Sequence, residues 1–371
     1  MSGFRFASSP DRRAVVALGV VVAILAALGI GAAWSKAGSS SPATAALTGP
    51  ARPLAASPTE ETTTTTTLPP TTTTVAPTTT APRAAAGPSA RPSPRPVPSG
   101  GSGPFTGLGA WVDAFDFNPA HTGGNPTVLP SSVDRMAAAG VRTLYLQVSR
   151  PEDPRVPGDL IDPGLLAAFV QRAHANGMLV VGWFLPHLGN LDDDMRHLQA
   201  AINFTAGGRG FDAIGLDIEW RESVPSHGDR SARLVELSRR LRTAAAGRPV
   251  GAIVMPPVVT DVINPNFWPG YPWRELAPLF DAWLPMSYWT NRSADSGYRD
   301  AYRYTADNIR LLRRNLGNPA APVHAIGGIS DKATIGDYER FAAACADGAA
   351  IGCSIYEWAS APSEAWAVLR G

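Results

Sequence analysis

Lysine is nearly missing from this chain of 371 residues. Of its 32 basic residues, all are arginine except Lys36 and Lys332, so Schiff-base chemistry, which needs an amine in the site, has only Lys332 to draw on. Charged residues of both signs together make up 17%, and the net charge of +1 leaves no electrostatic footprint for a nucleic-acid partner. Histidine is scarce as well. His121, His187 and His324 lie near loop ends without the spacing of a metal-ligand set, so neither a metal nor another cofactor is expected. The two cysteines, Cys345 and Cys353, have seven residues between them. In an oxidising compartment they can close a disulfide, and otherwise they are two small buried apolar groups.

Residues 38–104 contain no aromatic side chain, while 14 prolines and 16 threonines crowd the same stretch. Such a segment cannot bury enough apolar surface to offset its ordering entropy, and a disordered Pro/Thr-rich linker is expected over residues 35–104. Its reach would run from about 45 Å as a coil to about 200 Å at full polyproline extension. Ahead of it, residues 14–34 form an uncharged run of 21, which as a helix would span roughly 30 Å of hydrocarbon. Arg5, Arg12 and Arg13 precede this run and only Lys36 closely follows. That bias predicts a cytoplasmic tail at 1–13, a transmembrane helix or signal anchor at 14–34, and an extracellular remainder held at the cell membrane. The alternative is a cleaved signal peptide and a secreted domain, although such peptides usually have a shorter apolar core. Export favours the bridged reading of the cysteines.

Beyond Phe105 short apolar segments alternate with amphipathic ones. Strands are expected at 108–113, 143–149, 179–184, 213–219, 250–255, 282–288, 323–327 and 353–358. Between them, Asp162-Pro163 opens a helix that Gly177 closes, Asp229 opens one closed by Gly247, and one from about Tyr298 stops at Gly317. Eight strand–helix units over 105–371 predict an α/β domain, a (β/α)8 TIM barrel acting as a monomer. An open doubly wound sheet would carry a Gly-rich phosphate turn after its first strand, and Trp111-Val112-Asp113-Ala114-Phe115 is not one.

The fourth strand holds the most chemistry. In Ile214-Gly215-Leu216-Asp217-Ile218-Glu219, the period of two puts Gly215, Asp217 and Glu219 on one face. If the apolar face packs under helices, the two acids look into the barrel mouth, where burial and like charge hold one carboxyl protonated near neutral pH. The bland alternative is a solvated strand end paired with Arg221. At the other strand ends lie Asp113 and Asp116, Gln147 and Ser149, Trp183 and His187, Met255, Tyr288 and Trp289, Ser330 and Asp331, and Glu357 and Trp358. Acids beside flat rings suit a sugar, whose C–H faces stack on aromatics while carboxyls handle the glycosidic oxygen. Asp116 can equally be the cap of a turn.

The segment Phe211 to Glu219 resembles the Asp-Gly-x-Asp-x-Asp-x-Glu signature of family 18 glycoside hydrolases, the chitinase-like barrels. Asp212, Asp217 and Glu219 match its first, third and last acids, and Met286-Ser287-Tyr288 resembles that family's Met-x-Tyr-Asp on strand six. The resemblance implies a substrate-assisted reaction in which Glu219 protonates the leaving oxygen while Asp217 and Tyr288 orient an N-acetyl group that attacks the anomeric carbon. It also implies Trp358 as the floor of the sugar site and Met286 beside it, while the strand ends supply Trp183, Asp113, Gln147 and Trp289 as candidate lining. Strand seven, Val323-His324-Ala325-Ile326-Gly327, carries no glutamate of the kind that barrels with two catalytic glutamates have there. Three departures stand out: Gly215 replaces the middle aspartate, Ala213 a glycine, and Trp289 the aspartate after the tyrosine. Family 25 lysozyme-like barrels also carry an Asp-x-Glu on a strand.

Expected from these residues is an extracellular, membrane-tethered hydrolase of a β-linked N-acetylated polysaccharide. A catalytically silent glycan-binding barrel is the alternative. Gly327-Gly328-Ile329-Ser330 raises a third possibility, a phosphate cradle after strand seven, against which the bulky acidic Tyr356-Glu357-Trp358 of strand eight argues.

Overall fold

The computed structural model describes residues 103–371 apart from Glu152. The segments expected to form the membrane helix and nearly all of the linker lie outside the described residues. Among the described residues no helix is long and apolar enough to cross a membrane.

Eight strands run parallel in chain order and close on themselves. They are β1 (Gly107–Val112), β2 (Thr143–Gln147), β3 (Leu179–Phe184), β4 (Ala213–Ile218), β5 (Val250–Val254), β6 (Ala282–Ser287), β7 (His324–Gly328) and β8 (Gly352–Tyr356), with β8 pairing back onto β1. This is the TIM barrel the alternation predicts. Nearly every strand residue is buried, as continuous apolar runs require when one face packs under helices and the other fills the barrel. Most strands stop one or two residues before the expected end, because the polar residues there turn out of the sheet to cap loops. Asp113, for example, follows β1 and accepts a hydrogen bond from Phe115 N at 2.8 Å.

The outer ring is formed by α1 (Ser132–Ala138), α2 (Pro163–Ala175), α3 (Leu191–Asn203), α4 (His227–Ala244), the single turn α5 (Trp273–Leu276), α6 (Ala301–Leu316), α7 (Ile335–Asp347) and α8 (Ser363–Arg370). Asp162 caps α2 through Leu165 N (2.9 Å), and Gly317 closes α6 in the left-handed region at φ 65. The expected opening of α4 at Asp229 is corrected. Ser226 caps that helix, and Asp229 sits in its first turn, where a negative charge faces the positive end of the helix dipole.

The barrel's lower interior holds a chain of buried polar groups. Burial pushes the His324 imidazole down to about 4, so it is neutral. The bonding then reads Trp111 Nε1 to Ser354 Oγ (2.8 Å), Ser354 Oγ to His324 Nε2 (2.8 Å), and His324 Nδ1 to Phe105 O (2.9 Å). Trp111 also stacks on Tyr145 with ring centres 4.4 Å apart. Gly109 makes room for that stack, since a Cβ there would lie 2.4 Å from Tyr145 Cε2.

Cys345 near the end of α7 and Cys353 in β8 form a disulfide with Cα atoms 6.6 Å apart. Closing so short a loop constrains the unfolded chain by about 2.5 kcal/mol. Cys345→Ala/Cys353→Ala is therefore expected to lose roughly that stability in denaturant titrations, with added reductant reproducing the loss in the parent chain. A loss under about 0.5 kcal/mol would show that the bridge is incidental.

Candidate active site

At the C-terminal end of the barrel is a cleft of about 130 Å3 into which Asp217 and Glu219 both project. The strand places them there by alternation. Ile214, Leu216 and Ile218 are buried on the opposite face, while Gly215 faces inward one layer below the acids. A Cβ on Gly215 would lie 3.1 Å from both Trp183 Cβ and Ile253 Cδ1, so the space that an aspartate would need at this position is already filled by the neighbouring strands.

The two acids differ in environment. Asp217 is 7% exposed, and its Oδ1 is buried without a hydrogen-bond partner. Burial, and secondly the charge of Glu219, hold its carboxyl well above the usual range. Glu219 is half-buried and is pushed up to about 7, first by burial and then by the charge of Glu222. Glu222, in the loop after β4, thus adds a like charge on Glu219 to the repulsion that Glu219 shares with Asp217. The Arg221 guanidinium lies over the Phe267 ring at 4.1 Å.

Aromatic groups from four strands wall the cleft. Trp183 from β3 lies 5.9 Å from Trp111 of β1, ring centre to ring centre, and its buried Nε1 has no partner. Tyr288, just after β6, lies 5.8 Å from Tyr356 of β8. Burial raises the Tyr288 hydroxyl well above its ordinary value, reinforced by the surrounding charges of Asp217, Glu219, Glu357 and Asp113. Met286 also lines the cleft. Gln147 is present but partly engaged, with its Oε1 accepting from Ala114 N at 2.9 Å.

A second acidic group sits on the β1–β8 side. Asp113, Asp116 and Glu357 bring carboxylate oxygens within 4.8 Å of one another. Tyr356 donates its hydroxyl to Asp113, and Asp116 accepts from Asp113 N at 3.2 Å, the capping role its turn suggested. Crowding and burial keep these groups protonated to unusually high pH. Asp116 is raised well above the ordinary value by burial, then by Asp113 and Glu357, and Glu357 rises to about 8 through burial, then Asp113 and Asp331.

Two expected site residues are not in the cleft. Trp289 is fully buried and packs on Phe341 (5.2 Å), because β6 ends at Ser287 and a helical turn over Trp289–Asn291 carries the ring away from the cleft. Trp358 lies two residues past the end of β8 and packs against Trp366 of α8 (4.8 Å). Its expected place is taken by Tyr356, the last residue of the strand on the same parity. Asp212 also lies away from the cleft, before β4, accepting from Val180 N (2.8 Å) and lying 2.8 Å from His174 Nε2. The sequence reading passed over Trp111, Tyr356 and Glu222; period-two counting from Asp113 and from Trp358 would have found the first two. Lys332 is exposed in the turn after β7. The groups of a would-be phosphate cradle have internal partners: Ile329 N bonds to Thr290 Oγ1 (2.5 Å), and Ser330 Oγ to Ser360 Oγ (2.6 Å). A larger hollow of about 730 Å3 lies along α6, but its arginines are engaged, Arg313 with Gly348 O (2.6 Å) and Arg314 with Asp261 (3.0 Å).

A closed parallel barrel with acids and aromatics at its C-terminal strand ends is an architecture that glycan-cleaving hydrolases use, and the comparisons agree at the level of fold. No family model and no curated protein matches the chain. Among solved structures, the chain is similar to a class V chitinase from Pseudomonas fluorescens, 10% identical over 71% of this chain and 98% of that one, with a TM-score of 0.51. It is also similar to an endo-1,4-β-D-mannanase from Thermotoga petrophila, 12% identical over 68% of this chain and 88% of that one, with a TM-score of 0.51. The fold is thus the (β/α)8 barrel that both of these structures share.

Proposed function

We propose that this domain is a glycoside hydrolase that cleaves a β-linked, N-acetylated glycan of the chitin or cell-envelope kind, with Glu219 as general acid. The supporting observation is a half-buried carboxyl pushed up to about 7 beside a buried second acid, in an aromatic-walled cleft. A group with that acidity carries a proton at neutral pH and can deliver it to a leaving oxygen. Tyr288 and Asp217 orient the acetamido group. Its carbonyl oxygen attacks the anomeric carbon as the glycosidic bond breaks and Glu219 gives up its proton. Water then opens the cyclic intermediate, returning a proton to Glu219. The aromatic faces of Trp183 and Trp111 hold the sugar by stacking. In this proposal residues 14–34 anchor the chain and 35–104 let the barrel stand away from the membrane.

The test is to incubate the full-length protein with N-acetylated oligomers and count new reducing ends across pH. Because the donor must be protonated, kcat/KM is expected to be retained below the Glu219 value of about 7 and to fall about tenfold per pH unit above it. An alkaline limb beginning near pH 5 would remove Glu219 from the role. Gly215 and Trp289, standing where the resembling family has acids, favour a second reading as a glycan-binding barrel without turnover. Binding isotherms for these oligomers without new reducing ends would decide for it.

A further inference from the structure

Beside the cleft is a much smaller pocket of about 10 Å3, lined by Met255, Asn291, Arg292 and Tyr304 and sharing Glu219, Met286 and Tyr288 with the cleft. Its volume matches one water-sized group. Two polar atoms in its lining are buried and have no partner, Arg292 Nε and Asn291 Nδ2, while the Tyr304 hydroxyl bonds with the Asn308 side chain. Arg292 is 8% exposed. It is held by the turn after β6 through its own N bonding to Trp289 O (2.9 Å), and its guanidinium lies 5.8 Å from the Tyr304 ring centre. Asn308 also bonds with Val258 N (2.8 Å) and Ser287 Oγ (3.3 Å).

A buried guanidinium costs several kcal/mol unless a charge or strong acceptors complete it, and the protein supplies none to this Nε. Glu219 shares the wall, but burial and Glu222 set its proton affinity, and a carboxyl that is neutral at the moment of catalysis cannot neutralise Arg292. An amide carbonyl entering the pocket could accept from two donors but carries no charge, and would leave the cation unmatched. A carboxylate is the group whose oxygen fits the volume, whose charge matches the arginine, and whose several lone pairs can take the remaining donors.

From this geometry we infer that the Arg292–Asn291–Tyr304 pocket recognises a carboxylate on the sugar next to the scissile bond, so the substrate is an acidic glycan. The inference rests on the glycosidase reading and narrows it. Two chemistries supply such a group, a uronic acid ring and an amino sugar bearing a carboxyl-ended ether, and the pocket demands only the carboxylate.

The experiment compares the full-length protein on four oligomers of equal length: neutral N-acetylated, uronate-containing, carboxyl-ether-bearing, and the methyl ester of the better acidic one. One acidic oligomer is expected to exceed the neutral one in kcat/KM by at least about tenfold, as a charge-assisted bond implies. Esterification and Arg292→Gln should each erase that ratio. Which acidic oligomer wins identifies the source of the carboxylate. A neutral oligomer cleaved as well as both acids, or a preference surviving esterification, overturns the inference without requiring any variant to fold. If no oligomer is cleaved, the glycosidase reading fails. Calorimetry on the same four ligands then decides this inference separately: binding at least about tenfold tighter to an acidic oligomer upholds it, and equal binding overturns it.

Discussion

Replacing Glu219 by glutamine is expected to lower kcat/KM for N-acetylated oligomers by about 10³-fold, the usual range for removing a positioned proton donor. The side chain keeps its shape, so binding should change little and the loss should lie in kcat. A substrate with a leaving group that needs no proton, such as a nitrophenol, should recover most of its rate in this variant. Failure of that recovery, alongside an unchanged rate on oligomers, would falsify the assignment. The variant also has a stability signature. Glu219 in the folded chain binds its proton up to about 7 against an ordinary value of 4.5, so between those values folding takes up a proton and stability falls as pH rises. Glu219→Gln should remove that part of the decline. Its melting temperature at pH 8 is expected to equal or exceed that of the parent, which separates lost chemistry from a lost fold.

Asp217→Asn is expected to cost about 10² to 10³-fold in kcat, comparable to losing one preorganised stabilising group in a water-poor site. The reason is geometric. Asp217 Oδ1 is buried with no partner, a position held open at a cost of about 1–3 kcal/mol that only an incoming donor relieves, and the acetamido N–H is the donor proposed. An asparagine keeps the volume but cannot ionise to become the anion that stabilises the positive ring formed as the carbonyl attacks. Since burial is the first cause of the raised proton affinity of Glu219, and removing the Asp217 charge relieves only a lesser repulsion, the alkaline limb of the pH profile should move down by less than about one unit in Asp217→Asn. A variant whose rate is intact, or whose limb moves by more than a unit, would show that Asp217 instead tunes the donor.

The two acids reveal why the strand was readable and the rest of the site was not. Period two is imposed by the pleat, so Gly215, Asp217 and Glu219 had to share a face whatever surrounded them. Trp289 lies beyond the reach of that rule, because β6 stops at Ser287 and a helical turn starting at Trp289 carries its ring away from the cleft. Trp358 misled for the same reason. Its parity is right, but parity carries information only while the strand continues, and β8 stops at Tyr356. Strand ends are set by which groups cap the loop, and in the β8 loop the Glu357 N bond to Ser330 Oγ (3.1 Å) comes from 27 residues away.

Local rules in the chain alone determined the eight strands, the helix boundaries near Asp162 and Gly317, the inward pairing of Asp217 with Glu219, and the possibility of a bridge between two cysteines. Those properties depend on alternation, capping and spacing, all of which act over a few residues. Tertiary structure decided the remainder: Glu222 as a further charge that raises Glu219, the clustering of Glu357 with Asp113 and Asp116, Tyr356 in the place meant for Trp358, and the buried Arg292 in the pocket that Glu219 shares. These are effects of burial and through-space charge between residues distant along the chain, and they exist only once the barrel closes β8 onto β1.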